Sequence, residues 1–186
     1  VAQTIFSEAP RGSGLFLANS TAIRAFDSWT YTLNAKTLHI EANRGVSGIE
    51  GLLATAMGLA IATRKAWTLV IGDIAMLHDL NSLISLVQSG LPITIVLVNN
   101  GGGRIFETLP LQKHAWVKDP LISTPHTLNF QGIADMAGLA YKLCRTREDF
   151  VQTYREKIGK AALIECAQDA EADLAYISKL RARKLS

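Results

Sequence analysis

Cysteine is nearly absent from this chain of 186 residues: there are two, Cys144 and Cys166. They form no Cys-x-x-Cys pair and no metal-ligand spacing with a histidine, which argues against a thiolate metal centre. They read as small buried thiols in a reducing compartment, and a cytoplasmic location is the expectation. Long apolar runs are lacking too. No stretch approaches the ~18 residues of a membrane helix, so membrane association is not indicated. Charge of one sign is also scarce. A net charge of +3 does not argue for nucleic acid as a partner. The basic tail of Arg181, Arg183 and Lys184 reads as a solvated helix end. There is no internal repeat, no low-complexity tract and no visible secretory signal. The chain begins at Val1 rather than at methionine, which fits a processed product or a piece of a longer protein.

Hydrophobic residues make up 48% of the chain and charged residues 19%, a composition that suits one globular domain with a full core over 1–186. Short runs rich in Val, Ile and Leu occur at 15–18, 38–41, 67–71, 93–98, 139–143 and 162–166. Helix-length segments alternate with them at 20–28, 49–63, 76–89, 131–138, 147–159 and 170–182. Near-continuous apolar strands argue for burial on both faces of a parallel sheet. The expected fold is therefore α/β: three layers, with a mostly parallel six-stranded sheet between helices and right-handed crossovers. Gly90 and Pro92 should end the third helix. From 99 to 129 no periodicity is visible, and a loop of that length is usually functional. Within it, Trp116 with His114 and Lys118 could make a short helical turn.

The most informative stretch runs from Ile71 to Arg104. One strand ends in Gly72-Asp73-Ile74, and after a helix the next ends in Asn99-Asn100-Gly101-Gly102-Gly103. This single βαβ unit places Asp73 and Asn100 together at the carboxyl edge of the sheet, where open α/β sheets bind ligands. A carboxylate and an amide oxygen suit magnesium, which takes few ligands from protein and the rest from phosphate and water. The glycines allow a backbone carbonyl to turn inward. A helix beginning near Ala75 would aim its N–H groups at the same edge and favour a phosphate there. Either half alone is an ordinary turn or helix cap; the pairing on matched strand ends carries the signal.

Gly72-Asp73, then helix, strand and Asn99-Asn100, resembles the signature of thiamine-diphosphate enzymes. The resemblance implies that Asp73, Asn100 and the carbonyl of Gly102 ligate Mg2+ (or Mn2+), with Gly72, Ile74 and Asn99 beside the cofactor. Ile74 stands where the usual signature has glycine, which narrows the subfamily. Further stretches are similar to the 2-succinyl-5-enolpyruvyl-6-hydroxy-3-cyclohexene-1-carboxylate synthases of menaquinone and phylloquinone biosynthesis. They are Asn19-Ser20 with Arg24, the run from Asn43 to Gly51, Asp79-Leu80-Asn81, and the run from Ile105 to Pro110. That family decarboxylates 2-oxoglutarate on the cofactor and adds the resulting carbanion to isochorismate. The likeness makes Ser20, Arg24 and Arg44 ligands for these anionic substrates, since guanidinium groups bind carboxylates bidentately. It places Ile49 under the cofactor, and Ile105, Phe106 and Leu109 in an apolar wall that limits water.

One piece is missing. The family's activating glutamate comes from a separate domain, and in the assembled homo-oligomer, a dimer or tetramer, from the partner subunit. Glu41 and Glu50 are near the right edge, but the motif assigns neither this role, so no catalytic residue is expected here. The chain looks like the C-terminal pyrophosphate-binding domain of a longer enzyme. Alternatives are the same domain of an acetolactate synthase or a 2-oxo acid decarboxylase, or a non-catalytic nucleotide-binding module. Gly45, Gly48 and Gly51 are spaced wrongly for a dinucleotide fingerprint. His39, His78, His114 and His126 are unassigned.

Overall fold

The computed structural model describes residues 1–30, 37–108, 116 and 119–183. One sheet of six strands, all parallel, runs through it. The strands are β1 (Gly14–Leu17), β2 (His39–Glu41), β3 (Trp67–Gly72), β4 (Ile93–Asn99), β5 (Ala140–Cys144) and β6 (Ala162–Ala167), in the order β2-β1-β3-β4-β6-β5. The four inner strands are buried along almost their whole length, which explains their unbroken apolar runs. The outer two are not: β2 is exposed throughout, and β5 is buried only at Cys144. Burial on both faces therefore holds only for the centre of the sheet, because an edge strand has a neighbour on one side.

Helices α1 (Ala2–Glu8), α2 (Thr21–Trp29), α3 (Leu52–Thr63), α4 (Asp73–His78), α5 (Ser82–Ser89), α6 (Gln131–Ala137), α7 (Arg147–Lys157) and α8 (Ala170–Arg183) fill the connections and the two ends of the described chain. α1 packs on α2 and α7, whereas α5 packs on α3 and α6. These two groups are the two layers. The strand order reverses direction at β2 and at β5, and right-handed crossovers then put α2 and α7 on the face opposite α3, α5 and α6. The core between the layers includes Phe16, Trp67, Ile71, Leu97, Phe130 and Tyr154. Burial pushes the Cys166 thiol up to about 12 and raises that of Cys144 as well, so both free thiols are protonated and inert.

One helix was not foreseen, and two local expectations need correction. α1 carries no capping signal and is held from outside, by its packing and by Arg155, which donates to both carboxylate oxygens of Glu8 at 2.7 and 2.9 Å. The helix expected over 76–89 is two helices. The break is at Asp79, whose buried carboxylate accepts from Leu53 N at 2.5 Å and from Ser82 Oγ at 2.7 Å. Asp79 thereby caps α3, whose own N-cap is Gly51 at φ 69 with no side-chain bond to give. That capping is why α3 starts at Leu52 rather than at 49. Finally, the loop after β4 has local structure: a 3-10 turn over Arg104–Thr108 and a π-helical turn over Asp119–Ser123. The turn expected around Trp116 falls with His114 and Lys118 outside the described residues; Trp116 itself is exposed.

The Asp79 contact yields a prediction. Asp79→Ala leaves the Leu53 amide without its acceptor and the α4–α5 break without its tie. Unsatisfied buried donors cost about 1–3 kcal/mol. A urea titration of this chain should show stability reduced by about 2 kcal/mol, and an unchanged midpoint would refute the capping role.

Candidate functional site

The register of the sheet brings the central residues together. Gly72 pairs with Val98 at the ends of β3 and β4, so Asp73 and Asn100 leave neighbouring strands at one edge. β1 ends beside them, and the chain leaves β1 for β2 on one side while β3 lies on the other. That reversal is a topological switch point, the usual crevice for ligands in open sheets.

Asp73 is 3% exposed. Its Oδ1 accepts from Ile74 N at 2.8 Å, and its Oδ2 accepts from Gly102 N at 2.9 Å. His126 Nε2 lies 3.3 Å from Oδ2 but outside hydrogen-bonding geometry. Among the described residues three buried side-chain polar atoms have no hydrogen-bond partner: Asn100 Oδ1, Ser123 Oγ and His126 Nε2. Native interiors rarely leave such atoms idle unless water or an ion completes them. The donor set tests which ion fits. Among the described residues no group of three or more His, Cys, Asp or Glu stands ready for a metal. A cation here must take its ligands from one carboxylate, an amide oxygen and backbone carbonyls. Those are hard oxygen donors, few in number, and they fit magnesium.

The glycine turn is shaped for close approach. Gly102 has φ 138, and a Cβ there would sit 2.7 Å from Ser123 O, so no other residue fits. Its carbonyl accepts from Arg104 N at 2.8 Å and keeps a second lone pair. The segment from Ser123 to Leu128 closes over the turn. Gly103 N donates to Ser123 O at 2.6 Å, and His126 N donates to Gly101 O at 3.1 Å.

Asn99 holds the turn from beneath. Its Oδ1 accepts from Gly101 N at 3.2 Å, and its Nδ2 donates to Leu128 O at 2.9 Å and to Glu165 Oε1 at 2.7 Å. Glu165 is buried and escaped the sequence reading. It also accepts from Phe130 N at 2.9 Å and from Tyr141 Oη at 2.8 Å. Burial and that bond raise the Tyr141 phenol well above its ordinary value. A lone acid inside the apolar run of β6 was the available signal. A cleft of about 540 Å³ opens on this side, lined among others by Asn100, Arg104, His126, Arg145 and Glu165.

The expected substrate residues form a second group. Asn19 Nδ2 donates to Gly48 O at 2.5 Å, and Arg44 NH1 donates to Asn19 Oδ1 at 3.3 Å. These bonds join the end of β1 to the glycine-rich turn after β2. Ser20 sits at φ 69, ψ −129, a conformation rare outside glycine, and its carbonyl accepts from Arg24 NH1 at 2.6 Å. Strain of this kind concentrates at functional sites. Arg24 and Arg44 are exposed, while Ile49, Ile74, Ile105 and Phe106 are half-buried. Leu109 lies outside the described residues. Among the described residues no hydrogen bond joins Asn19, Ser20, Arg24 or Arg44 to Asp73 or Asn100. His78 is exposed on α4. That helix is six residues long and begins at Asp73, two residues before the start expected near Ala75.

Comparison with known proteins follows the same lines. Residues 26–166 match the family described as thiamine pyrophosphate enzyme, C-terminal TPP binding domain. The chain is 42% identical over 176 residues to a 2-succinyl-5-enolpyruvyl-6-hydroxy-3-cyclohexene-1-carboxylate synthase of Syntrophus aciditrophicus, covering 94% of this chain and 30% of that protein. A synthase of the same name from a Roseiflexus species is 41% identical over 169 residues, 89% of this chain and 29% of that protein. The chain thus spans about 30% of the length of these relatives. A Rhodococcus jostii thiamine diphosphate-dependent 4-hydroxybenzoylformate decarboxylase superposes with a TM-score of 0.70 at 21% identity, covering 90% of this chain and 32% of its own, which shows the shared fold. The nucleotide-binding alternative draws no support from these matches. The chain belongs to the thiamine pyrophosphate enzymes, as a C-terminal TPP binding domain.

Proposed function

We propose that this chain is the metal- and diphosphate-holding half of a 2-succinyl-5-enolpyruvyl-6-hydroxy-3-cyclohexene-1-carboxylate synthase active in menaquinone or phylloquinone biosynthesis. One observation carries the reading: Asn100 Oδ1 is buried and idle on the strand end adjoining Asp73. The names of the relatives support the choice of reaction. Two free buried cysteines suit a reducing compartment such as the cytoplasm.

In this reading Asp73, Asn100 and the Gly102 carbonyl hold Mg2+ or Mn2+, which grips the diphosphate. Bound thiamine diphosphate supplies the electron sink for loss of carbon dioxide from 2-oxoglutarate and for carbon–carbon bond formation with isochorismate. The chain's own residues bind, orient and exclude water. Arg44 and Arg24, with Ser20, take the substrate carboxylates and hydroxyls. Ile49 supports the cofactor from below, and Ile105, Phe106 and Leu109 keep water from the reacting carbon. The acid that activates the cofactor belongs to another domain, contributed across the interface of a homo-oligomer. The exposed guanidinium of Arg44 beside Asn19 also separates this reading from other thiamine-diphosphate enzymes, whose substrates need not be polyanions.

Three outcomes are expected. In the full-length enzyme Asp73→Ala and Asn100→Ala each abolish magnesium-dependent binding of thiamine diphosphate in calorimetry; wild-type affinity in Asp73→Ala would sink the metal assignment. Arg44→Ala spares cofactor binding and lowers kcat/KM for 2-oxoglutarate or isochorismate by a factor that corresponds to about 2–3 kcal/mol. Unchanged steady-state constants for both substrates would remove Arg44 from the site. This chain alone, given magnesium, thiamine diphosphate and 2-oxoglutarate, releases no carbon dioxide above a no-protein control. Release that Asp73→Ala abolishes would show a complete site.

A further inference from the structure

The structure assigns His126 a positioning role: its Nε2–H orients the Asp73 carboxylate so that a single oxygen site faces the metal. The inference rests on the metal reading above. Leu128 N donates to His126 Nδ1 at 3.2 Å, so Nδ1 is the unprotonated nitrogen and the ring proton sits on Nε2. Nε2 is buried, has no hydrogen-bond partner, and lies 3.3 Å from Asp73 Oδ2. The ring is packed against Phe130, and the backbone around it is fixed by two hydrogen bonds. His126 N is bonded to Gly101 O, the Phe130 ring meets the imidazole edge-on at 6.5 Å between centroids, and Leu128 O is bonded to Asn99 Nδ2.

Counting acceptor sites shows what this does. An ionised carboxylate offers about four lone-pair sites. On Oδ2 one faces Gly102 N, and the other lies 3.3 Å from His126 Nε2, whose N–H needs a small turn of the ring to engage it. On Oδ1 one is taken by Ile74 N. A single site on Oδ1 remains, so Asp73 is a one-oxygen ligand. That suits magnesium, which demands near-octahedral geometry and accepts few protein oxygens. Without the imidazole, Oδ2 regains a free lone pair and the carboxylate can swing into two-oxygen ligation, which a larger cation such as Ca2+ tolerates better. Groups that orient metal-ligating carboxylates commonly change affinity by ten- to a hundredfold when lost.

The test uses the full-length enzyme with saturating thiamine diphosphate, titrated with Mg2+ and separately with Ca2+ in a calorimeter. His126→Leu removes the donor. His126→Asn keeps an acceptor for Leu128 N but does not reach Asp73, and His126→Gln places an amide N–H near the position of Nε2. The Leu and Asn variants should bind Mg2+ about ten- to a hundredfold more weakly, with a smaller loss for Ca2+, and Gln should recover most of the Mg2+ affinity. Melting of the metal-free proteins should not follow this order. Should the Leu variant fail to fold, the Asn and Gln pair decides. Wild-type Mg2+ affinity in Asn, or equal losses in Asn and Gln, would overturn the role and leave the metal reading intact. Equal losses for Mg2+ and Ca2+ that track melting would overturn it in favour of a packing role. If the unmodified enzyme shows no magnesium-dependent cofactor binding, the metal reading itself fails and this inference with it.

Discussion

The hydrogen bond from Gly102 N to Asp73 Oδ2 ties together the ends of the two central strands, and the site depends on it. A parallel sheet is held laterally by its ladder and vertically by apolar packing, but both fade at the carboxyl edge, where the backbone turns away into loops. Something polar must hold the loops in place there. Here a buried carboxylate at the end of β3 captures the turn at the end of β4. The conformation this requires, φ 138 against Ser123 O, is open only to glycine. The turn is then locked from above by the segment Ser123–Leu128 and from below by Asn99. The idle oxygen of Asn100 is a consequence of this fixation, since a mobile amide would turn to find a partner.

The same device recurs at the other two buried acids along that edge. Asp79 joins the start of α3 to the break between α4 and α5, and Glu165 joins β6 to Asn99, to the start of α6 and to Tyr141 on β5. Each carboxylate accepts from donors far apart in sequence, so each fixes a relation between loops that hydrophobic burial alone would leave loose. Removing one partner from such a buried group is costly because the remaining polar atoms have no solvent to turn to. The rigidity of the edge is thus bought with charge rather than with apolar area.

Periodicity made the inner strands, the sheet class and the matched positions of Asp73 and Asn100 legible in the sequence. Residues 67–71 and 93–98 are apolar because helices cover both faces, and that pattern survives in one dimension. What was not legible shares one cause. α1, the break at Asp79, the burial of Glu165 and the contact between His126 and Asp73 all arise from groups distant along the chain. No local pattern announces that the carboxylate at 79 will cap a helix 26 residues earlier. The exposure of β2 likewise follows from its place at the end of the strand order, which the residues His39 to Glu41 do not reveal. The shared position of Asp73 and Asn100 was readable because it is set by one βαβ unit; the supports from Ser123–Leu128 and Glu165 were not, because they lie on other segments.

The two groups of site residues lie on different parts of the switch point, and this separation has an electrostatic consequence. Asp73, Asn100 and the glycine turn sit over β3 and β4, whereas Asn19, Ser20, Arg24 and Arg44 sit over β1 and β2. The first group presents oxygens and suits a cation. The second presents guanidinium groups and suits an anion. Arg24 and Arg44 are exposed, and their attraction for a carboxylate in bulk solvent is weak because water screens it. A reactive carbon placed between the two groups would be open to solvent on the side facing away from the sheet. A covering surface changes both terms at once: it excludes water from the carbon, and it lowers the dielectric around the arginines so that each charge–charge contact strengthens. A sheet edge that collects opposite charges in adjoining groups under an open side therefore gains from a covering surface on electrostatic grounds alone.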